Sequence, residues 1–465
     1  MANEFNFQET KVDWDERHAT ILKNFLDNME AEKVRYVILK NDSGLPYKNY
    51  SKDVDIVIEP GSYKKAAKLL RIEYENGGIT NYKIHKFERL RCWYGFNLNT
   101  RTAIHIDLLE GFLHKGFEMF PFEIMYKHAY KNENGVYVLD SVFSSLVLLL
   151  HSTICYHHIK NKYVDRIKTE YNNSKAEIDS LIKCLFPIKA ATLLIELLEQ
   201  DDYVTIEKKA KVFSHQSKKS IFFKRPIFSI INVFDFLWEK VCRLVFNSSK
   251  YNTFISVHAP DGTGKTTFIQ SLSETLGFYY VCNADGLVNI SHFRPEILPN
   301  LGAAGEKAGI MKQDKNFTVP HRAKPAGSIS SFIRMIYYWL DYVIGVPLIL
   351  RKSAQFDKIT IFDRYIYDFL VDPLRSRIKL PYWIRRAFTC LVKQPKVVFV
   401  LDTDADTIYA RKQELTKDEI NRQLIEFRKL SKLGDRVHFL NASQKPEDIA
   451  NDAIKVIIDK FTKKL

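Results

Sequence analysis

The sequence predicts a mixed α/β protein in two parts. The C-terminal part reads as an α/β domain with a parallel sheet flanked by helices, and the N-terminal part as an α+β domain with a helical extension. Three observations carry this. A buried-strand run, FISVHA (254–259), leads through a glycine-rich turn into a helical stretch, Lys265 to Leu276. Two more apolar runs, KITIFD (358–363) and KVVFVLD (396–402), follow with helical sequence between them, the rhythm of an open parallel sheet. Nearer the N-terminus, the short strands VDIVIE (54–59) and AIHIDLL (103–109) give way to a helical pattern from about 142 to 200.

The elements follow in order. Ile21, Leu22, Phe25, Leu26 and Met29 recur at helical spacing and predict a helix near 14–32. A strand (YVIL, 36–39) comes next, and Pro60-Gly61 ends the strand at 54–59. A helix carrying Ala66, Ala67, Leu69 and Leu70 follows, with further strands near 91–98 and at 136–139. At roughly 100–200 residues per domain, the 465 residues divide as 1–205, a basic aromatic linker at 206–252, and 253–465. Within the linker, a helix is expected from about 227 to 246. Phe228, Ile231, Phe234, Phe236, Leu237 and Val241 leave it little polar face. It suits either a helix packed between domains or a basic, aromatic element lying on a membrane surface.

The hydrophobic fraction of 46% excludes a mainly disordered chain. The net charge is +14, and two windows hold it: residues 207–250 and 351–396 each carry +7, leaving 48 basic and 48 acidic residues elsewhere. A general nucleic-acid binder spreads its cations along a face or tail, so no nucleic-acid partner is expected. Six scattered cysteines make no disulfide framework, which fits a reducing compartment. The polar, acidic start is no secretory signal. The runs 141–159 and 335–350 fall short of the ~20 apolar residues of a membrane span. A cytoplasmic location is expected, peripheral to the inner face of the membrane if 207–250 meets lipid.

The segment Ala259-Pro-Asp-Gly-Thr-Gly-Lys-Thr-Thr267 sits between a strand and a helix. It matches the P-loop (Walker A) pattern GxxxxGK[ST], except that Ala259 replaces the first glycine. Gly262 and Gly264 allow the backbone to curl so that its N–H groups face phosphate oxygens, and the helix adds its positive N-terminal end. In such a loop Lys265 reaches the β/γ-phosphates of ATP and the Thr266 hydroxyl ligates Mg²⁺. Asp261, Gly262, Thr263, Gly264, Lys265, Thr266 and Thr267 are the expected nucleotide-binding residues.

HAPDGTGKTT resembles the P-loop of thymidylate kinases, typically xxDGxGK[ST]T. Asp363-Arg364-Tyr365, at the end of a strand, resembles that family's DR[YFH] motif. The run VVFVLD (397–402) with Ala405, Tyr409, Ala410 and Arg411 resembles its strand, helix and basic lid. The likeness covers about 253–465. It implies a P-loop NTPase fold and an ATP- and Mg²⁺-dependent phosphotransferase with Lys265, Asp363, Arg364 and Arg411 catalytic. Asp261 would meet an acceptor hydroxyl, Arg364 would clamp phosphate, and Arg411, Lys412 and Arg422 would form the lid. The stretch 292–342 is longer than a compact thymidylate kinase requires. It holds His292, Arg294, His321, Arg322 and Lys324. Phe332 and Arg334 there fit an acceptor stack and a phosphate clamp, and equally a core helix with one exposed arginine. The chain is similar in this to thymidylate-kinase-like proteins of bacterial surface-polysaccharide synthesis, and the acceptor, nucleoside monophosphate-like or a sugar or polyol compound, stays open.

In the N-terminal part, Asp53-Val-Asp55 puts two carboxylates on one side of a strand, and Asp107 lies in a second strand. Three such carboxylates can hold two divalent metals that activate a hydroxyl and stabilise leaving pyrophosphate. Residues 20–140 resemble the nucleotidyltransferase fold with its DxD and later Asp. The family's GG or GS before the DxD is altered here to KNDSGLP (40–46). The second activity is therefore an alternative main function, with the P-loop domain as an ATP-gated regulatory or scaffold module. His151, His157 and His158 are expected on a helix, where His151 and His158, seven apart, share a face that permits a metal pair; no third ligand is placed by sequence, and ordinary packing or solvated histidines are the expectation.

Overall fold

The computed structural model describes residues 14–245, 254–282, 284–299, 327–355, 358–413 and 415–465. The chain forms two compact units, Met1–Val241 with Lys463–Leu465, and Cys242–Thr462. The segment 206–241, read from sequence as a linker, folds with the first unit. Phe213 and Ile221 are buried in that unit's core, and the Ser217 hydroxyl meets the Met119 sulfur.

The first unit runs α1 (Glu16–Ala31), β1 (Tyr36–Ile38), β2 (Val54–Ile58), α2 (Tyr63–Asn76), β3 (Asn81–Phe87), β4 (Leu90–Asn97) and β5 (Thr102–Leu109). A hairpin of β6 (Phe112–His114) and β7 (Phe117–Phe120), then α3 (Phe122–Lys127), β8 (Ala129–Lys131) and β9 (Tyr137–Leu139), completes its β-rich part. Asp15 caps α1 by accepting from the His18 N–H, and the stripe Ile21, Leu22, Phe25, Leu26 and Met29 is buried as its spacing predicts. Strands β3, β4, β5, β2, β1, β9 and β8 make one mixed sheet in that order, and the C-terminal strand Lys463–Lys464 joins it beside β3. The decisive register is β2 parallel to β5, which sets Asp55 beside Asp107.

Helices α4 (Ser141–Leu150), α5 (Asn161–Asn173), α6 (Lys175–Leu185), α7 (Ile188–Glu199), α8 (Tyr203–Lys208), α9 (Ala210–Lys224) and α10 (Pro226–Val245) follow. Between α4 and α5, His151–Tyr156 forms a π-helical turn closed by His157 in the left-handed region. The turn removes the shared face expected of His151 and His158. His151 packs on Phe112 and Tyr156, whereas His158 pairs with Glu207 at 2.9 Å.

The second unit runs β10 (Phe254–His258), α11 (Lys265–Tyr279), α12 (Ala284–Leu287), β11 (Val288–His292), α13 (Ser328–Gln355), β12 (Ile359–Asp363), α14 (Asp368–Val371) and α15 (Tyr382–Cys390). β13 (Val397–Asp402), α16 (Ala405–Arg411), α17 (Lys417–Arg428), β14 (Val437–Asn441) and α18 (Pro446–Phe461) complete it. Five parallel strands order as β11-β12-β10-β13-β14. β10 and β12 are buried throughout, and β13 up to its last residue, which explains their unbroken apolar sequences. The edge strands VNISH and VHFLN mix polar with apolar residues, so their sequences carry no such signal.

α13 corrects the expectation that the apolar run near 335–350 is too short for a membrane span. The helix has 28 residues and is long and apolar enough to cross a bilayer by length and composition. Met335, Tyr342, Val346 and Leu350 bury one side of it. Asp341, in mid-run, is fully buried and accepts from Arg294 and from the N–H groups of Glu296 and Leu298. Gly345 lets Pro295 approach where a Cβ would collide at 2.2 Å. Of the candidate substrate residues in 292–342, His321, Arg322 and Lys324 lie outside the described residues.

Candidate functional site

In the second unit the chain leaves β10 at His258 and re-enters helix at Lys265. Gly262 and Gly264 take φ of +87° and +95°, so both need the freedom only glycine has. Ala259 keeps to negative φ and is buried, which explains why this position tolerates a side chain. Thr263 folds back through its hydroxyl onto the Pro260 carbonyl at 2.9 Å. Thr266 and Thr267 are exposed on the first turn of α11.

One strand over, β12 ends beside β10 with Asp363 in register with Val257. Lys265 donates to one Asp363 oxygen, and His292, exposed at the end of β11, meets the other at 3.1 Å. Burial lowers the Lys265 ammonium pKa, the Arg364 charge adds to that, and Asp363 opposes it. Arg364 occupies the left-handed region at φ +71°, a conformation that costs a non-glycine residue energy and concentrates at functional sites. Its backbone N–H is held by the Val257 carbonyl at 2.9 Å.

The Arg364 guanidinium is the centre of a buried network. It donates to Asp368 at 2.7 Å and to one oxygen of Asp261; Arg375 donates to the other Asp261 oxygen at 2.7 Å. Asp368 is shared with His258, whose Nδ1 lies 2.8 Å away and whose Nε2 faces the Ser256 hydroxyl at 3.2 Å. Burial alone would raise the Asp368 carboxyl, but Arg364 and His258 hold it far below the usual carboxylate range. Burial likewise raises Asp261, and the two arginines outweigh it. Asp261 thus holds two arginines at the loop, where the sequence reading gave it an acceptor hydroxyl.

Arg411, expected in a mobile lid, donates to the carbonyls of Thr263 and Ala442 at 3.2 and 3.1 Å. It braces the loop backbone. The Lys412 Cβ sits 3.0 Å from where a Gly262 Cβ would be. Arg422 pairs with Glu419 and donates to the Val371 carbonyl. Phe332 packs edge-on to Phe388, and none of the described contacts joins Arg334 to the loop. The Arg334 Nε is buried without an acceptor among the described residues. Asp363, Arg364, Asp261, Lys265 and Arg411 therefore converge, and Arg334 does not join them. Sequence reading missed His258, Asp368 and Arg375. The available signals were a histidine inside an apolar strand and an Asp four residues after Arg364.

The first unit carries a separate cluster. Carboxylate oxygens of Asp53, Asp55 and Asp107 lie within 4.8 Å of one another. Asp53, just before β2, accepts from the Ser51 hydroxyl at 3.0 Å, and His105 meets Asp107 at 2.8 Å. Lys40, from the altered loop, puts its ammonium 3.0 Å from Asp55. Burial foremost pushes the Asp55 carboxyl up to about 7; Lys40 pulls it down, while Asp53 and Asp107 add to the rise. For Asp53, burial is outweighed by Lys40, His105 and Ser51, and its pKa falls. Crowded oxygen donors that resist sharing negative charge suit a hard divalent cation such as Mg²⁺ or Mn²⁺. Cys92, His105 and Asp107 form a second, overlapping donor set.

No protein-family model matches the chain, and no curated protein does. Solved structures do match it. One is the crystal structure of thymidylate kinase from Ehrlichia chaffeensis, at 19% sequence identity and a TM-score of 0.30, covering 44% of this chain and 97% of that one. An overlap at that level says nothing about chemistry, which the side-chain geometry has to carry by itself.

Proposed function

We propose that the second unit is a P-loop kinase of the thymidylate-kinase type. It moves the γ-phosphoryl group of ATP to a small acceptor, nucleoside monophosphate-like or a sugar or polyol compound. One observation carries this reading. Two left-handed glycines and the Lys265 ammonium lie next to an Asp363-Arg364 pair on the neighbouring strand. Phosphoryl transfer is mostly positioning and charge neutralisation, and it needs cations converging on one spot.

In this reading the N–H groups of the loop and the start of α11 cradle the phosphates. Lys265 leaves Asp363 to meet the β/γ-phosphates. Arg364 and Arg375, both oriented by Asp261, face the phosphate being transferred. Thr266 and Asp363 offer the hard oxygen donors that Mg²⁺ takes. When bound, the ion neutralises phosphate charge. Asp363 is also the group best placed to orient the acceptor hydroxyl. The length of 292–342 and the likeness to kinases of surface-polysaccharide synthesis keep sugar and polyol acceptors beside nucleoside monophosphates. The test is acceptor-dependent ADP formation from ATP across a panel of those compounds, read by mass. A protein that binds ATP yet forms no acceptor product with any of them is a nucleotide-gated scaffold instead.

The acidic cluster favours a second reading for the first unit, a metal-dependent nucleotidyltransferase. Asp53, Asp55 and Asp107 would hold the cation, which activates an attacking hydroxyl and stabilises leaving pyrophosphate. Lys40 would neutralise the cluster beside it. Titration of the full chain with Mn²⁺ should show binding to the wild type. Loss of a carboxylate ligand should weaken it by about 10-fold or more in the Asp55→Asn variant. No binding, or equal binding by the variant, removes the metal and with it this reading.

A further inference from the structure

The helix α10 is amphipathic the wrong way round for a soluble core helix. The fully buried residues of its inward face are polar, and that face is held by specific contacts. Asn232 and Ser229 are buried, and Arg89 donates to the Asn232 side chain at 3.0 Å. Glu239 accepts from the Glu88 N–H at 2.9 Å, and the Arg89 guanidinium lies 5.0 Å over the Phe228 ring. Gly116, at φ +84°, fits against the Val233 backbone where a Cβ would stand only 2.6 Å away. The helix is therefore docked in one rotational setting.

That setting turns the apolar side outward. Ile227, Ile230, Ile231, Phe234, Leu237 and Trp238 are 50–74% exposed. At 3.6 residues per turn they fall in one stripe about 120° wide, opposite the buried face. Phe223, at the end of α9, is exposed beside its start. Scattered exposed apolar residues are ordinary, but a continuous stripe marks a contact surface.

We propose that this stripe lies on the surface of an anionic lipid bilayer. The charge of the segment selects the occupant. Residues 207–245 carry nine basic side chains and three acidic ones, a net of +6. Two copies of such a segment repel each other, whereas anionic headgroups attract it. Phe234 and Trp238 supply the aromatic anchors of a helix lying in the interface plane; α10 itself balances Lys240 and Arg243 against Asp235 and Glu239, and the excess cations precede it at 208–225. Asp235, Glu239, Lys240 and Arg243 in twenty residues rule out a span, so the helix rests on the membrane. The surface belongs to the unit without the glycine loop, so its failure would leave the kinase reading untouched.

Flotation of the full chain tests it. Vesicles of phosphatidylcholine alone are compared with equal parts phosphatidylcholine and phosphatidylglycerol. The wild type should float with the anionic vesicles, less at high salt, and the Trp238 emission should shift to the blue relative to a Trp238→Phe control. Phe234→Glu with Trp238→Glu, on an already exposed face, should weaken partitioning by about 10-fold or more. Lys219→Glu with Lys240→Glu should weaken it through charge alone and guards against misfolding of the first variant. Absence of flotation with anionic vesicles, or equal flotation of both variants, overturns the proposal. Equal flotation with neutral vesicles overturns the anionic partner. A wild-type dimer that the apolar variant dissociates, without lipid binding, assigns the stripe to a second copy.

Discussion

Replacing Lys265 with alanine should lower ATP turnover by at least about 10²–10³-fold, the usual loss when one preorganised charge partner of the transition state goes. The ammonium stands at the first turn of α11, next to the loop whose two glycines take left-handed φ. It already neutralises Asp363, so it is placed to exchange that carboxylate for a phosphate. The fold should survive, because Asp363 keeps its contact to His292 and the loop glycines are untouched. Coupled measurement of ADP release, with circular dichroism as the folding control, checks this. Unchanged turnover would remove the second unit from the kinases.

The largest loss of stability should come from Asp368→Ala. Asp368 is buried between His258 and Arg364. Its removal leaves Arg364, itself buried, with Asp261 as its remaining carboxylate partner among the described residues. Breaking one partner out of a buried ion pair costs roughly 3–5 kcal/mol. The effect should appear as an earlier urea transition of the second unit alone, since two units need not unfold together. The pH dependence has a definite sign. The native Asp368 pKa is depressed, so its contribution is fully present above the unfolded value near ~4 and is lost as pH falls below it. The wild type should therefore lose stability to acid in that range, and the variant should lose less. A transition within error of the wild type would mean that the network does not hold the site.

Much of this was legible in the sequence. The buried strands β10, β12 and β13 read as uniform apolar runs because both faces are covered. The loop was legible because GTGKTT concentrates backbone requirements that few other residues meet. Asp363 and Arg364 were legible through the resemblance of Asp363-Arg364-Tyr365, at a strand end, to the DR[YFH] motif. The edge strands β11 and β14 were not legible, since half-exposed strands mix polar and apolar residues. The network through His258, Asp368 and Arg375 was hidden for another reason: its members are 110 and 114 residues from His258 and Asp261 in sequence and meet only through the fold. In the first unit, the parallel register of β2 and β5 paired Asp55 with Asp107, which the strand patterns suggested. Lys40 lay in the loop whose expected glycine pair is missing, and its role needed three-dimensional proximity to the carboxylates.

In the proposed function the glycine loop serves phosphoryl transfer to a second substrate. The most direct measurement supplies ATP labelled in the γ-phosphoryl group together with the acceptor panel and follows the label by mass. Label should appear in one acceptor class, dependent on Mg²⁺ and lost in Lys265→Ala. Tight ATP binding with the label retained on ATP, or released only to water whichever acceptor is present, would contradict it.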